Sequence, residues 1–282
     1  MTYRTRFAPS PTGLLHLGHA FSALLAHDRA QAAGGTFLLR IEDIDQPRCK
    51  PEFEAAILED LHWLGLAWPR PVLRQSDRIQ AYDAALDRLV SLGLCYPCRC
   101  RRRDIRAALA APQEGSQNGP DGPAYPGTCR GRSMNRATPQ DAIRLDMRRA
   151  LDLLGDPGAT FNETGPLYRG EHRIDPQELL HSVGDVVLAR RDIGTSYHIA
   201  VVVDDSAQQI TEVVRGADLF AATQIHVLLQ LLLELPTPSY HHHDLVRDEH
   251  GKRLAKRDDA RAIAHYRQQG ATPATIRRMV GL

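Results

Sequence analysis

Two histidines, His16 and His19, follow the stiff turn PSPTG of residues 9–13 and are separated by only two residues. Residues at i and i+3 share one face of a helix, so both imidazoles can donate hydrogen bonds to the same group. Gly18 between them leaves room for a flat base or a ribose. This pattern favours a nucleotide site, because helix N-termini bind phosphate oxygens. Two partly exposed helix histidines remain an alternative, and a zinc pair fits the spacing less well.

A second candidate for phosphate chemistry is the run DEHGKRLAKRDD at residues 248–259. A loop led by Gly251 and carrying Arg253 and Lys256 can fold over a triphosphate. It would neutralise the charge that develops as pyrophosphate leaves. Taken alone, a charged run of this kind is more often a solvated face.

Three of the five cysteines share a short stretch with a tyrosine: Cys98, Cys100, Tyr125 and Cys129. Three thiolates and a phenol at this spacing can close tetrahedrally around zinc. Free intracellular thiols are the alternative. A loop-rich stretch with few apolar residues needs a cross-link, which favours structural zinc. Cys49 and Cys95 fall outside this pattern.

The elements around the histidines alternate between strand and helix patterns. YRTRFA and TFLLRIED indicate strands, and helical spacing begins at His16 and ends at Gly34. PEFEAAILEDLHWLGL and RIQAYDAALDRLVSLGL indicate amphipathic helices. This order predicts an α/β fold with a doubly wound parallel sheet, and places the histidines after its first strand, at the edge that binds nucleotides.

The alternation breaks near Cys95, where Gly, Pro, Asn and Ser predict mostly loop up to about residue 136. It resumes with YHIAVVVDD, predicted as a buried strand, then the strand QITEVVRG and a helix from Asp218 to Leu235 with Asp218 as its N-cap. The predicted divisions are a first sheet half at 1–94, an insertion at 95–190, a second sheet half at 191–240 and a helical remnant with the basic loop at 241–282.

Composition excludes several classes of protein. The 282 residues fit about two domains by the length prior, and 43% hydrophobic content suffices for a core. With 35 basic and 34 acidic side chains the chain is not a uniformly basic nucleic-acid coat, so any polyanion contact is a local patch such as RCRRRDIR at 99–106. The N-terminus has no apolar leader, and the run Val227–Leu235 is too short to span a bilayer. We expect a cytoplasmic protein.

The two phosphate motifs together resemble the signatures of class I aminoacyl-tRNA synthetases. Five segments occur in the order found in bacterial glutamyl-tRNA synthetases: RFAPSPTGLLHLGHA, LRIEDIDQPR, YHIAVVVDD, VVRGADL and GKRLAKR. The resemblance implies a class I synthetase Rossmann-type parallel sheet with an inserted zinc-binding subdomain and a short helical C-terminal region. One departure is that the second signature usually reads KLSKR, whereas RLAKR stands at 253–257 here.

The resemblance also implies roles for individual residues. It makes His16, His19 and Lys256 catalytic, with ATP bound by these three together with Gly18 and Arg253. Residues around glutamate would be Arg6, Ser10, Glu42, Tyr197 and Arg215. The chemistry agrees, because guanidinium forks suit the two carboxylates of glutamate and an anion suits its ammonium. Mg²⁺ would accompany ATP, and structural zinc would bind the three cysteines and the tyrosine.

Only 26 residues follow Lys256, too few for the large helical domains that read an anticodon. The chain thus resembles the short branch of this family, the glutamyl-queuosine tRNA(Asp) synthetases. Its expected partners are ATP, L-glutamate and the anticodon stem-loop of tRNA(Asp) carrying queuosine, and a monomer is expected. The alternatives are charging of the 3′ end of tRNA(Glu), a non-catalytic RNA-binding relative, and a small-molecule nucleotidyltransferase.

Overall fold

The computed structural model describes residues 2–109, 118–155, 158–246 and 262–282. Its strands are β1 (Arg4–Phe7), β2 (Thr36–Ile41), β3 (Leu73–Arg74), β4 (Cys95–Cys98), β5 (Asn118–Gly119), β6 (Gly122–Pro123), β7 (Ala142–Leu145), β8 (Thr160–Glu163), β9 (Gly170–Arg173), β10 (Val187–Ala189), β11 (Glu212–Gly216) and β12 (Ser239–His243).

The α-helices in these ranges are α1 (Leu17–Ala32), α2 (Pro51–Trp63), α3 (Ile79–Ser91), α4 (Arg102–Leu109), α5 (Met147–Leu154), α6 (Pro176–Glu178), α7 (Tyr197–Ala207), α8 (Thr223–Leu232), α9 (Ile263–Gln268) and α10 (Pro273–Val280). Short 3₁₀ helices cover Gln75–Arg78, Met134–Arg136 and Ala217–Leu219, and a π-helical turn at Leu179–Val183 continues α6. None of the described helices is long and apolar enough to cross a membrane.

Two neighbouring sheets of mostly parallel strands organise the molecule, in the orders β1-β2-β3 and β11-β12-β8-β9, where only β9 pairs antiparallel, with β8. The strands β1, β2 and β3 pair in parallel, and β11 pairs in parallel with β12, which in turn pairs with β8. β11 lies beside β1, where the Thr211 N–H donates to the Arg4 carbonyl at 3.0 Å. The carboxyl ends of β1 and β11 therefore meet at one edge, the edge at which open parallel sheets bind ligands.

The region predicted as an insertion, 95–190, has a small antiparallel sheet of its own, in the order β10-β7-β4. The hairpin β5–β6 belongs to this region as well. Within the same range, however, β8 belongs to the sheet of β11 and β12, since Glu163 lies opposite Tyr240 of β12. The strand β12 itself runs across residue 240, where a boundary was predicted. The insertion and the parallel sheet are thus joined by shared strands.

The prediction of a buried strand at YHIAVVVDD is wrong, because these residues form the helix α7. Its buried residues cover nearly every direction around the axis, so no polar stripe marks the helical period. A short apolar run of this kind cannot be told from a strand by periodicity alone. The predicted N-cap is also wrong, since Asp218 lies in a 3₁₀ helix and α8 begins at Thr223 with Ala222 as its N-cap.

The C-terminal helices pack onto the first half of the sheet. The Ile263 N–H donates to the Leu15 carbonyl at 2.9 Å. Leu15 directly precedes residues 16–19, which carry His16 and His19 and are called the histidine turn below. On α10, Ile276 is fully buried in the same apolar cluster as α1. Arg277 forms two hydrogen bonds with Asp28 of α1, at 2.6 and 2.9 Å. The end of the chain is therefore part of the core that supports the histidine turn.

We predict that Ile276→Ala lowers the free energy of unfolding by about 2–4 kcal/mol, because it leaves a cavity in a packed core. Met279→Ala is the matched control, since Met279 lies on the same helix but is 44% exposed, and should change stability by no more than about 0.5 kcal/mol. Urea titration followed by circular dichroism measures both. Equal, small effects would show that α10 does not belong to the core.

Candidate active site

A cavity of about 490 Å³ lies at the carboxyl ends of β1 and β11. Seven residues predicted from the sequence line it: Arg6, His16, Gly18, His19, Glu42, Tyr197 and Arg215. Ser10, also predicted, is exposed and is not part of this lining. Arg253 and Lys256 lie outside the described residues. The structure thus brings the predicted nucleotide and amino-acid residues to one cavity.

The histidine turn is fixed by hydrogen bonds from its own backbone. The Gly18 N–H donates to His16 Nδ1 at 3.1 Å, and the His16 N–H donates to His19 Nδ1 at 3.2 Å. The two rings stack with centroids 3.8 Å apart. Because both Nδ1 atoms accept, each neutral ring carries its proton on Nε2. At the N-terminus of α1 the pair therefore supplies two further N–H donors suited to an anion.

The His16 ring leaves little space for a side chain at Gly18. A Cβ atom at residue 18 would lie 3.1 Å from Cε1 and 3.2 Å from Nδ1 of that ring. Such contacts are tighter than ordinary van der Waals separations, so the ring would have to move by a few tenths of an ångström. The glycine is thus explained by the packing of the turn as well as by space for a ligand.

A buried ion network lies beneath the wall of the cavity formed by Arg6 and Glu42. Asp205 of α7 accepts from Arg6 Nε at 2.9 Å and from Arg40 Nη1 at 2.7 Å. Arg40 also donates to Glu42 at 3.1 Å. Burial opposes ionisation of Asp205, but the two guanidinium groups outweigh it and lower its pKa. Burial raises the pKa of Glu42 despite the neighbouring arginines.

Arg215 differs from Arg6 and Arg40, which pair with carboxylates, because its own partners are neutral. Its Nε donates to His242 Nε2 at 2.9 Å, Nη1 lies 3.1 Å from His226 Nδ1, and Nη2 donates to Thr223 at 2.7 Å. Among the described residues no carboxylate pairs with it. Arg215 is only 5% exposed, and a buried cation of this kind calls for an anionic partner. The cavity therefore presents an unneutralised guanidinium to an anionic ligand.

Sequence reasoning missed several polar residues of this site. Arg40 and Asp205 complete the ion network, and His226 contacts Arg215. His243 lines the cavity, and its Nε2 lies 2.7 Å from Ser22 Oγ on α1. The available signals were an arginine inside the apolar strand TFLLRI and three consecutive histidines at 241–243. Each is a polar group at a position where burial demands a partner.

The four residues predicted to bind metal form one cluster, called the cysteine cluster below. The Tyr125 hydroxyl lies 3.3 Å from both Cys98 Sγ and Cys100 Sγ, and Cys100 Sγ lies 3.6 Å from Cys129 Sγ. The three sulfurs all lie within 4.8 Å of one another. Sulfurs on a tetrahedral zinc would be about 3.8 Å apart for Zn–S bonds of about 2.3 Å, so the donor set fits a metal.

The pKa values within the cluster shift in opposite directions, and burial raises that of Tyr125. Burial raises the pKa of the Cys129 thiol, but hydrogen bonds with Tyr125 and the Arg99 backbone outweigh burial and lower it to about 7. Burial raises the pKa of Cys100. Cys49 and Cys95 lie apart from the cluster, and burial raises the pKa of Cys95 to about 12. The cluster can therefore bind a metal ion, which agrees with the predicted spacing.

Comparison with known proteins places this site in a family. A family model described as tRNA synthetases class I (E and Q), catalytic domain, matches residues 2–282. The glutamyl-Q tRNA(Asp) synthetase of Rhodobacter capsulatus is 61% identical over 281 residues, which are 99% of each chain. The protein of the same name from Rhodopirellula baltica is 39% identical over 97% of this chain and 82% of its own.

Solved structures agree with this assignment. A glutamate tRNA ligase from Elizabethkingia meningosepticum, in complex with its amino acid, superposes with a TM-score of 0.78 at 26% identity. The match covers 100% of this chain and 61% of that one. Methionyl-tRNA synthetase of Mycobacterium tuberculosis shares the fold, with a TM-score of 0.60 at 11% identity. The chain belongs to the glutamyl and glutaminyl (E and Q) family of class I tRNA synthetases.

Proposed function

We propose that this enzyme activates L-glutamate with ATP and transfers the glutamyl group to queuosine in the anticodon of tRNA(Asp). The observation that carries the proposal is the buried Arg215 guanidinium, which lines the cavity beside the histidine turn and pairs with no carboxylate among the described residues. An acidic amino acid supplies the missing anion next to a site built for phosphates. The two relatives named above carry the name of this activity.

The amino-acid half of the site consists of Arg6, Glu42, Tyr197 and Arg215. Arg215 binds a carboxylate of glutamate through the N–H groups that its protein partners leave over. Glu42, partly exposed at the cavity wall and hydrogen-bonded to Arg40, is the carboxyl group available to the substrate ammonium. Glutamine in place of glutamate would leave a guanidinium without a counter-charge, and a mismatch of this kind discriminates strongly. Ser10, although exposed, remains assigned to this half by the resemblance alone.

The ATP half of the site consists of the histidine turn together with Arg253 and Lys256, whose positions lie outside the described residues. His16 and His19 donate from Nε2 to phosphate oxygens, and Gly18 lets the ribose approach. Mg²⁺ accompanies ATP and neutralises part of the phosphate charge. Lys256 adds a cation where negative charge increases as pyrophosphate departs.

The reaction has two steps. In the first, an oxygen of the glutamate α-carboxylate attacks the α-phosphorus of ATP, the bond from that phosphorus to the bridging oxygen breaks, and pyrophosphate leaves. In the second, a hydroxyl of the queuosine cyclopentenediol attacks the glutamyl carbonyl, loses its proton and displaces AMP. The protein contributes by holding both reactants in line and by donating hydrogen bonds to the phosphates.

We also propose that the cysteine cluster holds one structural zinc ion, bound by Cys98, Cys100, Tyr125 and Cys129. Zinc would cross-link the loop segments of the inserted region and takes no part in the reaction. Seven arginines line the cleft beside the cluster, and all except the buried Arg144 offer contacts for the phosphates of an anticodon stem-loop. The seven are Arg48, Arg101, Arg102, Arg106, Arg144, Arg190 and Arg191. We also propose that the protein is a monomer and acts in the cytoplasm.

The proposal predicts which tRNA is labelled by radioactive glutamate in the presence of ATP. Purified tRNA(Asp) containing queuosine should be labelled, and should still be labelled after removal of its 3′-terminal adenosine, because the acceptor is a base. The same tRNA without queuosine and tRNA(Glu) are the controls, and neither should be labelled. Labelling of the tRNA(Glu) 3′ end would instead show that the protein is an ordinary glutamyl-tRNA synthetase. If no glutamate-dependent pyrophosphate exchange occurred, the protein would be a non-catalytic relative.

Gly18→Ala should raise the KM for ATP by about 3- to 10-fold, because the added methyl displaces the His16 ring. Stability should not fall, since alanine is the better helix former at a helical position. Pyrophosphate exchange and thermal unfolding measure the two effects. Leu14→Ala, two residues before His16 at a 41% exposed position, is the control and should leave the KM unchanged. A KM unaltered by Gly18→Ala would contradict the assigned role of the turn.

Metal analysis of the purified protein should give one zinc per chain. Cys100→Ser should reduce zinc affinity by more than the roughly 10- to 100-fold expected for loss of an outer hydrogen bond, because it removes a direct ligand. Cys49→Ser, outside the cluster, is the matched control and should retain the metal. Competition with a chromogenic chelator measures both. Equal zinc content in the two variants would contradict the site.

A further inference from the structure

Arg215 is held between two histidines that use different ring nitrogens. His242 faces the guanidinium with Nε2, at 2.9 Å from Arg215 Nε. His226 faces it with Nδ1, at 3.1 Å from Nη1. Thr223 takes a third N–H, on Nη2, at 2.7 Å. Guanidinium has five N–H groups, so two remain, one on each Nη, for a ligand carboxylate.

These contacts determine where both imidazoles carry their protons. Guanidinium can only donate, so His242 Nε2 and His226 Nδ1 must both be unprotonated acceptors. The proton of each neutral ring then lies on the opposite nitrogen. His242 Nδ1–H donates to Glu163 Oε2 at 2.5 Å, and His226 Nε2–H donates to His198 Nδ1 at 3.2 Å. The two histidines are thus opposite tautomers, each oriented by an acceptor behind it.

Both chains of hydrogen bonds end on carboxylates. Glu163 is buried, and its other oxygen accepts from the backbone N–H groups of Gly165 and His242, at 2.6 and 2.9 Å. His198, having accepted at Nδ1, donates from Nε2 to Asp121 at 2.8 Å. Asp121 lies in the turn of the hairpin β5–β6, in the inserted region. Both ring nitrogens of His242, His226 and His198 therefore have a hydrogen-bond partner.

We propose that His226 and His242 are positioning residues that hold the Arg215 guanidinium so that its two remaining N–H groups face the carboxylate of the amino-acid substrate. This inference rests on the proposed function. The histidines do not touch the substrate and act only through Arg215. Direct contact with a carboxylate would satisfy the charge of Arg215 within the protein, whereas a neutral imidazole fixes its direction and leaves its charge for the substrate.

The electrostatic environment favours the neutral rings that this role needs. Burial lowers the pKa of His226, and the positive charge of Arg215 lowers it further. Burial also lowers the pKa of His242, although its contact with Glu163 opposes that shift. Both rings therefore remain neutral, and keep an accepting nitrogen toward Arg215, near physiological pH.

The opposite tautomers allow a crossed mutational test. An asparagine amide occupies about the place of Nδ1 in histidine, and a glutamine amide about the place of Nε2. His226→Asn and His242→Gln should therefore keep an acceptor for Arg215. His226→Gln and His242→Asn should lose it. An effect of side-chain volume alone would rank asparagine and glutamine in the same order at both positions.

Glutamate-dependent pyrophosphate exchange is the assay. We expect KM for glutamate to stay within about 3-fold of wild type in H226N and H242Q, and to rise about 10- to 100-fold in H226Q and H242N. Because a tenfold change in affinity is about 1.4 kcal/mol, that rise corresponds to a loss of roughly 1.4–2.8 kcal/mol of binding free energy for glutamate. KM for ATP should change little in all four. The exposed His62 provides the control, since H62N and H62Q should match wild type.

Two results would overturn the inference: the same order of asparagine and glutamine effects at both positions, or wild-type KM values in all four variants. In either case the activity of the wild-type enzyme would still support the proposed function. A wild-type enzyme without glutamate-dependent exchange would overturn the proposed function and the inference with it. A second measurement needs no variant. Long-range ¹⁵N–¹H correlation spectra of histidine-labelled wild type should show Nε2–H for His226 and Nδ1–H for His242. An imidazolium or the reverse tautomer at either residue would also overturn the inference.

Discussion

The carboxylate of Asp205 neutralises two buried guanidinium groups, and the arrangement of the site depends on it. Arg6 comes from β1, Arg40 comes from β2, and Asp205 comes from the last turn of α7, far along the chain. Arg40 is fully buried, so without Asp205 its charge would lose its closest counter-ion. Removing one partner of a buried ion pair is strongly destabilising, by about 3–5 kcal/mol. This contact therefore fixes α7 against the first two strands.

The position of α7 then determines the rest of the cavity. With its last turn held by Asp205, the first turn brings Tyr197 to the cavity wall and His198 to the relay behind Arg215. Glu42 is oriented by Arg40, which it shares with Asp205. One helix thus connects the arginine that is neutralised by the protein with the arginine that is left to the substrate. Asp205 neutralises Arg6 and Arg40, whereas no carboxylate among the described residues pairs with Arg215, so the cavity keeps one buried positive charge.

The sequence predicts the parts of this site that depend on local pattern. The histidine turn, the helix after it and the strands β1, β2 and β11 follow from turn residues, caps and hydrophobic period. The residues around Arg215 and Asp205 were not predictable in this way, because they come together only in the folded sheet. The polar links from Arg6 to Asp205 and from Arg40 to Asp205 join residues 199 and 165 positions apart. No local pattern encodes pairings at that distance.

The error at α7 has the same physical origin. A helix buried on all sides has no polar face, so its sequence lacks the period that distinguishes it from a strand. Its two consecutive aspartates were the remaining signal, because carboxylates inside an apolar run must meet buried cations. Asp204 accepts from Gln75, Arg78 and Tyr82, while Asp205 accepts from the two strand arginines. A charged residue inside an apolar run therefore indicates a buried ion pair or hydrogen bond, even where hydrophobic periodicity gives no signal.

The inserted region is connected to the amino-acid site by rigid contacts. Gly119 of the hairpin β5–β6 lies so close to the π-helical turn that a Cβ there would be 2.4 Å from the Ser182 carbonyl oxygen. Asp121 in the same hairpin accepts from His198, and Tyr125, four residues further on, belongs to the cysteine cluster. A metal bound at the cluster would therefore hold the hairpin that anchors one of the two relays to Arg215. The hairpin β5–β6 thus links the cysteine cluster with one of the two hydrogen-bond chains that reach Arg215.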